Sequence, residues 1–110
     1  ALDAVLDWIQ QAGGMAVIAH PARYHMTATK LGRLLREFRD AGGLGMEVVS
    51  GSHTPENVRH MSLLCRREQL LASCGSDYHG PENPWIRLGE LPALPGGCLP
   101  VWESEYWPVQ

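Results

Sequence analysis

Hydrophobic residues along this chain follow helical and strand-like spacings in turn. In the first segment they recur at the i, i+3, i+4 and i+7 spacing of one helix face, and this pattern ends at Gly13-Gly14. A second helix is predicted to open near Thr27 or Thr29 and a third at Thr54-Pro55, because threonine caps helices and proline fits their first turn. One short apolar run follows each helix and is a predicted strand: Met15 to Ala19, Met46 to Val49 and Leu70 to Cys74.

The order of these elements predicts an α/β fold with a parallel sheet. Strands that alternate with helices through short connections pair in parallel, with right-handed crossovers, and continuous apolar runs are typical of strands covered on both faces. Three such strands cannot close a barrel, and the edge beside the first strand would be open. We therefore expect residues 1–110 to be the C-terminal segment of a single larger domain, with N-terminal strands missing and an irregular tail from about residue 80.

The third predicted strand gives way abruptly to ionisable residues. It stops at Gly75, and Asp77 and His79 follow with one residue between them. In an extended chain these two side chains project to the same side, and a carboxylate beside an imidazole is a ligand set suited to Zn²⁺, Mn²⁺ or Fe²⁺. The alternative is structural: Asp77 caps a turn after Gly75, and His79 is an exposed loop histidine.

A histidine at the end of the first predicted strand favours the metal site. His20 follows that strand directly, and Pro21 prevents further ladder pairing. Because α/β folds keep their chemistry at the C-terminal ends of strands, His20 joins Asp77 and His79 as a predicted metal ligand. Glu47 lies inside the second strand, where a carboxylate is costly unless it is paired or faces a polar site, and it is a candidate for substrate binding.

Two further residues near these strand ends are candidates for phosphate binding. His53 directly precedes Thr54-Pro55, a predicted helix start whose N-terminus can hold an anion. It would bind substrate phosphate or protonate a leaving group, and a surface loop histidine is an equal alternative. Arg23 follows the His20-Pro21 turn and either clamps a phosphate in bidentate fashion or forms a surface ion pair.

The net charge does not predict that the protein surface as a whole attracts a polyanion. Twelve acidic and nine basic residues give a net charge of −3, so a polyanionic substrate must be held locally, by metal ions or a few arginines. The second helix has basic residues three apart on one side, with acidic residues interleaved, and this stripe is interpreted as a solvated outer face. The stripe consists of Lys30, Arg33, Arg36 and Arg39.

Cysteine usage and hydropathy predict a cytoplasmic protein. Cys65, Cys74 and Cys98 are an odd number at no zinc-type spacing, and they are predicted to be reduced thiols. No apolar run approaches the ~20 residues that span a bilayer, and there is no signal-peptide pattern. We expect no membrane partner and no stable nucleic-acid complex.

Four short motifs occur along the chain: Ala19-His20-Pro21, Gly45-Met-Glu-Val48, Ser52-His53-Thr54-Pro55-Glu56 and Gly75-Ser-Asp-Tyr-His79. In their order and spacing they resemble the C-terminal half of the PHP (polymerase and histidinol phosphatase) family. Within that family, the likeness is to the bacterial subgroup of 3′,5′-nucleotide bisphosphatases and 5′-3′ exoribonucleases. Two tail segments, Trp85-Ile-Arg-Leu-Gly89 and Pro100-Val-Trp-Glu103, resemble that subgroup too. The resemblance extends from Gly13 to Glu103.

The resemblance implies a distorted (β/α)₇ barrel and a metal-dependent phosphoesterase that hydrolyses phosphate esters of nucleotides or RNA 5′ ends. By position, His20, Asp77 and His79 are similar to metal ligands of that family, which binds two or three divalent ions. We expect Mn²⁺, with Zn²⁺ or Fe²⁺ as alternatives. The family's N-terminal ligands, which begin with an Asp-Leu-His-x-His type motif, are absent from this sequence.

Two other functions remain open because a fold alone does not settle a reaction. One is a non-catalytic PHP-like binding or regulatory domain whose metal site has decayed. The other is a metal-dependent amidohydrolase that cleaves a C–N bond.

Overall fold

The computed structural model of this chain describes residues 2–75 and 93–105. The predicted alternation of helices and strands is confirmed in this part of the chain, whereas Asp77 and His79 lie outside it. In chain order the elements are α1 (Leu2–Gln11), β1 (Val17–Ile18), α2 (Ala28–Asp40), β2 (Gly45–Ser50), α3 (Pro55–Arg67) and β3 (Leu71–Gly75), with short 3-10 turns at Pro21–Arg23 and Val101–Glu103.

The three described strands form one parallel sheet in the order β1-β2-β3, as the alternation predicts. Val17 pairs with Gly45, and Gly45 pairs with Leu71, so the C-terminal ends of all three strands lie at the same edge. β1 is shorter than the predicted Met15 to Ala19. Its ladder with β2 covers Val17–Ile18 alone, and at His20 the backbone turns into the left-handed region.

The two long helices begin where local capping chemistry places them. Thr27, rather than Thr29, caps α2, since its Oγ1 accepts a hydrogen bond from the Lys30 backbone at 3.2 Å. Thr54 and Asn57 form a reciprocal capping box at the start of α3. The apolar faces of these helices join the buried core with Leu31, Leu35, Phe38, Met61, Leu64 and Cys65.

The sheet is most deeply buried at its central strand. All of β2 is buried except the half-buried Glu47, whereas β1 and most of β3 are half-buried, which differs from the predicted cover on both faces. The C-terminal tail covers part of β3. Leu99 accepts a hydrogen bond from the Ala72 backbone at 2.8 Å, and Val101 is buried nearby, so the described tail is irregular in form but docked.

The three cysteines are free in the described part of the chain. Their predicted reduced state stays a prediction. Cys65 is buried and donates its S–H to the Leu70 carbonyl at 3.1 Å, and burial raises the pKa of this thiol to about 12. Within the residues that the structure describes, no helix is both long enough and apolar enough to cross a bilayer.

A buried carboxylate ties α2 to the end of α3. Glu68 is 3% exposed, and it accepts two hydrogen bonds from Arg36, at 3.1 and 3.2 Å, with Arg67 at 3.4 Å. Hydrogen bonding from Arg36 outweighs desolvation and holds the pKa of Glu68 below its usual range. Arg39 adds a hydrogen bond of 2.8 Å to the Glu68 carbonyl, so three guanidinium groups converge on one residue.

We expect Glu68→Gln to lower the thermal midpoint of the protein by about 2–4 °C at neutral pH. A carboxylate with a depressed pKa stabilises the fold above its unfolded pKa, and this contribution is lost as the pH falls through its folded pKa. The free energy of unfolding of the wild type should therefore decrease when the pH is lowered below about 4. In the variant, the part of this pH dependence that comes from Glu68 should be absent. Denaturation curves at several pH values, with the exposed Glu56→Gln as the control, measure both effects.

Candidate functional site

The C-terminal edge of the parallel sheet brings three chain segments together. β1 is followed by His20, β2 by the loop from Gly51 to Thr54, and β3 ends at Gly75. The Gly51 backbone donates to the Gly75 carbonyl at 3.0 Å, which joins the β2 loop to the end of β3. The described ends of the three strands therefore lie at one edge of the sheet.

His20 is held in a left-handed backbone conformation, with φ of 30° and ψ of 58°. A non-glycine residue in this region is strained by about 1–3 kcal/mol, so the surroundings must stabilise it. His20 begins the 3-10 turn Pro21–Arg23, in which Pro21 is buried and the Arg23 backbone donates to the His20 carbonyl at 3.0 Å. The turn reverses the chain directly after β1 and keeps His20 at the sheet edge.

Glu47 fixes this conformation from the neighbouring strand. Its Oε1 accepts a hydrogen bond of 2.7 Å from the His20 backbone N–H, across 27 residues of sequence. Its Oε2 lies over Gly75, where an added Cβ would overlap the carboxylate. The glycine that ends β3 therefore gives the Glu47 carboxylate room to reach along the sheet towards β1.

Tyr24 completes the cluster around His20, and sequence reasoning missed it. Its ring packs edge-on against the His20 imidazole, with centroids 6.3 Å apart, and its hydroxyl donates to the Ala19 carbonyl at 3.0 Å. Burial raises the pKa of Tyr24, and the nearby Glu47 carboxylate raises it further. A tyrosine three residues after a His-Pro pair has no sequence signature that would have identified it.

The Nδ1 atom of His20 is buried and has no hydrogen-bond partner among the described residues. A buried polar nitrogen without a partner is destabilising unless something outside the described residues satisfies it. A neutral imidazole nitrogen is a common ligand for Zn²⁺, Mn²⁺ and Fe²⁺. The environment of His20 therefore fits the predicted role of a metal ligand.

A β-bulge in the central strand orients His53. The pairing of β2 with β3 shifts between Glu47 and Val49, which leaves Val48 outside the regular ladder. His53 Nδ1 lies 2.9 Å from the Val48 carbonyl oxygen, and because a carbonyl only accepts, Nδ1 bears the proton. In the neutral ring the lone pair is then on Nε2, which is buried and also without a partner in the described part of the chain.

The loop around His53 is tightly hydrogen-bonded. The Ser50 and Ser52 hydroxyls are 3.0 Å apart, and the His53 backbone donates to the Ser50 carbonyl at 3.0 Å. His53 is half-buried, which argues against a freely solvated loop histidine. The ring is fixed, and its Nε2, which has no partner in residues 2–75 and 93–105, is suited to binding an anion when protonated or to accepting a proton when neutral.

The structure brings some of the predicted site residues together and leaves others untested. His20 and Glu47 are in direct contact, and His53 follows the adjacent strand. Arg23 is exposed at the end of the 3-10 turn, and its predicted contact with phosphate stays a prediction. Within residues 2–75 and 93–105, no three potential ligands group into a metal site, and the predicted site with Asp77 and His79 lies outside these ranges.

The chain is similar to curated bacterial proteins named as a phosphatase and as exoribonucleases. It is 45% identical over 104 residues to the 3′,5′-nucleoside bisphosphate phosphatase of Chromobacterium violaceum, a match that covers 94% of this chain and 36% of that protein. It is 41% identical over 103 residues to the 5′-3′ exoribonuclease Rnm of Salmonella typhimurium, covering 94% and 35%. The Escherichia coli Rnm is 40% identical over 102 residues, covering 93% and 34%. The chain thus spans about a third of the length of the curated relatives it matches.

A solved structure has the same fold over nearly the whole chain. It is described as an amidohydrolase from Chromobacterium violaceum with bound sulfate and no metal. The two share 45% sequence identity and a TM-score of 0.84 over 93% of this chain and 35% of the other. No protein-family model matches the chain.

Proposed function

We propose that this chain is the C-terminal part of a PHP-type barrel enzyme, a metal-dependent phosphoesterase of the cytoplasm. Its substrates are phosphate esters of nucleotides or of RNA 5′ ends. The observation that carries the proposal is the pair of buried imidazole nitrogens, on His20 and His53, at one edge of a parallel sheet. The names of the relatives, a nucleoside bisphosphate phosphatase and exoribonucleases, support the substrate class.

In this proposal His20, Asp77 and His79 hold two or three divalent ions together with ligands from the rest of the enzyme. Mn²⁺ is the favoured ion, with Zn²⁺ or Fe²⁺ as alternatives. Bound ions of this kind lower the pKa of water towards neutrality and offset the negative charge of the reacting phosphate. The chain's own contribution is to fix the His20 ring, through the Glu47 hydrogen bond and the Tyr24 contact.

His53 and Arg23 act on the substrate rather than on the ions. Protonated His53 donates from Nε2 to a phosphate oxygen or to the leaving-group oxygen, while Nδ1 stays bonded to the Val48 carbonyl. Arg23 binds a second phosphate oxygen pair in bidentate fashion. The role in substrate binding predicted for Glu47 stays a prediction beside its observed contact with His20.

An amidohydrolase is the second candidate, since the structural neighbour is described as one. The same ions and histidines would polarise an amide carbonyl as well as a phosphate, so the geometry alone does not separate the two reactions. A non-catalytic domain is the third candidate. A non-catalytic domain has no chemical need for two buried imidazole nitrogens that lack partners among the described residues.

The full-length protein, loaded with Mn²⁺, separates these candidates directly. Phosphate release is measured from a nucleoside 3′,5′-bisphosphate, nucleotide release from a short 5′-phosphorylated RNA, and amine release from a panel of N-acyl amides. We expect hydrolysis of one or both phosphate substrates. Amine release without phosphate release would establish the amidohydrolase, and no turnover at any metal load would favour the binding domain.

We expect His53→Gln to lower kcat/KM for the nucleoside bisphosphate by about tenfold, the cost of one charge-assisted hydrogen bond. The metal content, measured by elemental analysis, should stay that of the wild type because His53 is assigned to phosphate. His25→Gln replaces an exposed histidine of the same region and is the matched control. Loss of metal in His53→Gln would instead identify His53 as a ligand of the ions.

A further inference from the structure

A groove lies between α2 and α3 on the outer surface of the helices. One part of it, along α2, is a cleft of about 620 Å³. Four of the side chains that line this cleft are arginines, and one, Glu68, is acidic. Four positive groups against Glu68 give the lining a formal charge of +3, or +2 when Asp40, which pairs with Arg39 at 3.1 Å, is counted, although the whole chain has a net charge of −3. We call this surface the α2–α3 groove, and its charged part is lined by Arg33, Arg36, Arg39, Arg67 and Glu68.

Glu68 holds the arginines in position. Arg36 uses two of its five guanidinium N–H donors on the Glu68 carboxylate, and the remainder are left for another anion. Arg67, from α3, reaches over α2 at Gly32, where an added Cβ would lie 3.0 Å from its Nη2. A glycine inside a helix costs about 1 kcal/mol relative to alanine, and here its missing side chain lets the guanidinium approach.

Arg33 supplies a positive charge that no described residue neutralises. It is exposed on α2 and forms no hydrogen bond or ion pair with any described residue. The sequence pattern alone predicts that Arg33 belongs to a solvated stripe on one helix. The structure adds Arg67 from the neighbouring helix, which turns the stripe into a two-sided cleft.

The groove leads away from the candidate site. The other part of the groove has a volume of about 400 Å³ and shares Thr29 and Arg67 with the charged part. Ala28 and His60 also line this second part. Helix α2 begins after the C-terminal end of β1, and Ala28 is its first residue, so Arg33, Arg36 and Arg39 lie further along α2 from the site edge than Ala28 does. A helix of 13 residues is about 20 Å long, which is long enough to contact several successive nucleotides.

We propose that the α2–α3 groove binds the phosphodiester backbone of single-stranded RNA, on the 3′ side of the ester that is hydrolysed. The inference rests on the proposed function, because an enzyme that holds a 5′ end at the sheet edge leaves the rest of the strand to extend outwards. Guanidinium groups match phosphate geometry, and the groove residues in the described chain include no Trp, Tyr or Phe on which bases could stack. Binding is therefore independent of base sequence.

The test compares Arg33→Glu with Arg59→Glu in the full-length protein. Arg59 is exposed on α3 and does not line the groove. Arg59→Glu therefore makes the same change of charge at a position outside the groove. The dissociation constant of a 3′-labelled single-stranded RNA long enough to cross the groove is measured by fluorescence anisotropy in EDTA, where no hydrolysis takes place, at several salt concentrations. Hydrolysis of a nucleoside 3′,5′-bisphosphate, which has no chain to occupy the groove, is measured in parallel.

We expect Arg33→Glu to raise the dissociation constant of the long RNA by about 3- to 10-fold and to lower its salt slope by about 0.7 or more. Arg59→Glu should have less effect, and bisphosphate hydrolysis should be unchanged in both. An Arg33→Glu variant that binds RNA as the wild type does, or no more weakly than Arg59→Glu, would overturn the groove while leaving the proposed function in place. RNA binding that depends on Arg33 in a protein that hydrolyses no phosphate ester would support the groove and refute the function.

Discussion

Asp77→Asn in the full-length protein should reduce phosphate release by at least about 1000-fold while the protein stays folded. Asparagine keeps the shape of the side chain and removes the negative charge that helps to hold a cation. The metal content per protein should fall at the same time, because Asp77 is assigned to the ions. Arg23→Ala should differ from it, with a higher KM and an unchanged metal content.

The measurement combines elemental analysis with phosphate release from a nucleoside 3′,5′-bisphosphate and from a 5′-phosphorylated RNA. Asp7→Asn is the matched control, since Asp7 lies on α1 and accepts a hydrogen bond from Gln11, away from the sheet edge. Circular dichroism verifies that each variant is folded. If Asp77→Asn kept full activity and metal, the metallophosphoesterase interpretation would be wrong, and a structural turn after Gly75 would be the better account.

Local chemistry explains why the helices could be predicted from the sequence. Thr27 and Thr54 cap their helices through bonds to residues three positions later, and Gly13, with φ of 79°, follows the end of α1. These signals are complete within one helical turn, so no tertiary information is needed to interpret them. The parallel order followed from the alternation of elements, which again depends on chain sequence alone.

Contacts across the fold could not be predicted in the same way. The sequence indicated that Glu47 needed a partner but gave no means of identifying the His20 backbone, 27 residues away. The bulge at Val48 depends on the register with β3, and it decides which tautomer His53 adopts. The cleft formed by Arg67 and α2 likewise depends on how two helices pack.

The strand lengths differ from the sequence prediction for a related reason. An apolar run indicates burial, whereas a strand ends where ladder hydrogen bonds stop. β1 covers two residues because its partner strand begins at Gly45 and because His20 leaves the extended region. Neither fact can be predicted from the apolar run itself. The prediction of metal ligands at Asp77 and His79 stays a prediction, since both lie outside the described residues.

The Glu47 hydrogen bond gives the second large prediction. Glu47→Ala removes the acceptor of the His20 N–H, which leaves a left-handed residue without its support and frees the imidazole to move. Partners that orient a metal ligand typically contribute about 10–100-fold. Because Glu47 fixes the backbone of His20, the proposed ligand, we expect the upper end of that range. Activity should therefore fall by about 100-fold, and the affinity for Mn²⁺ should fall with it.

Glu47→Gln separates a positioning role from the role in substrate binding predicted from the sequence. A glutamine oxygen still accepts the His20 N–H but has no charge, so a positioning role predicts activity and Mn²⁺ affinity within about tenfold of the wild type. A residue that uses its charge on the substrate predicts that glutamine is as damaging as alanine, with a raised KM and normal metal binding. Calorimetric titration with Mn²⁺ and kinetics on the nucleoside bisphosphate, compared across the two variants, decide between them. Equal loss in Glu47→Gln and Glu47→Ala, with Mn²⁺ affinity unchanged in both, would show that the contact with His20 is incidental to the function of Glu47.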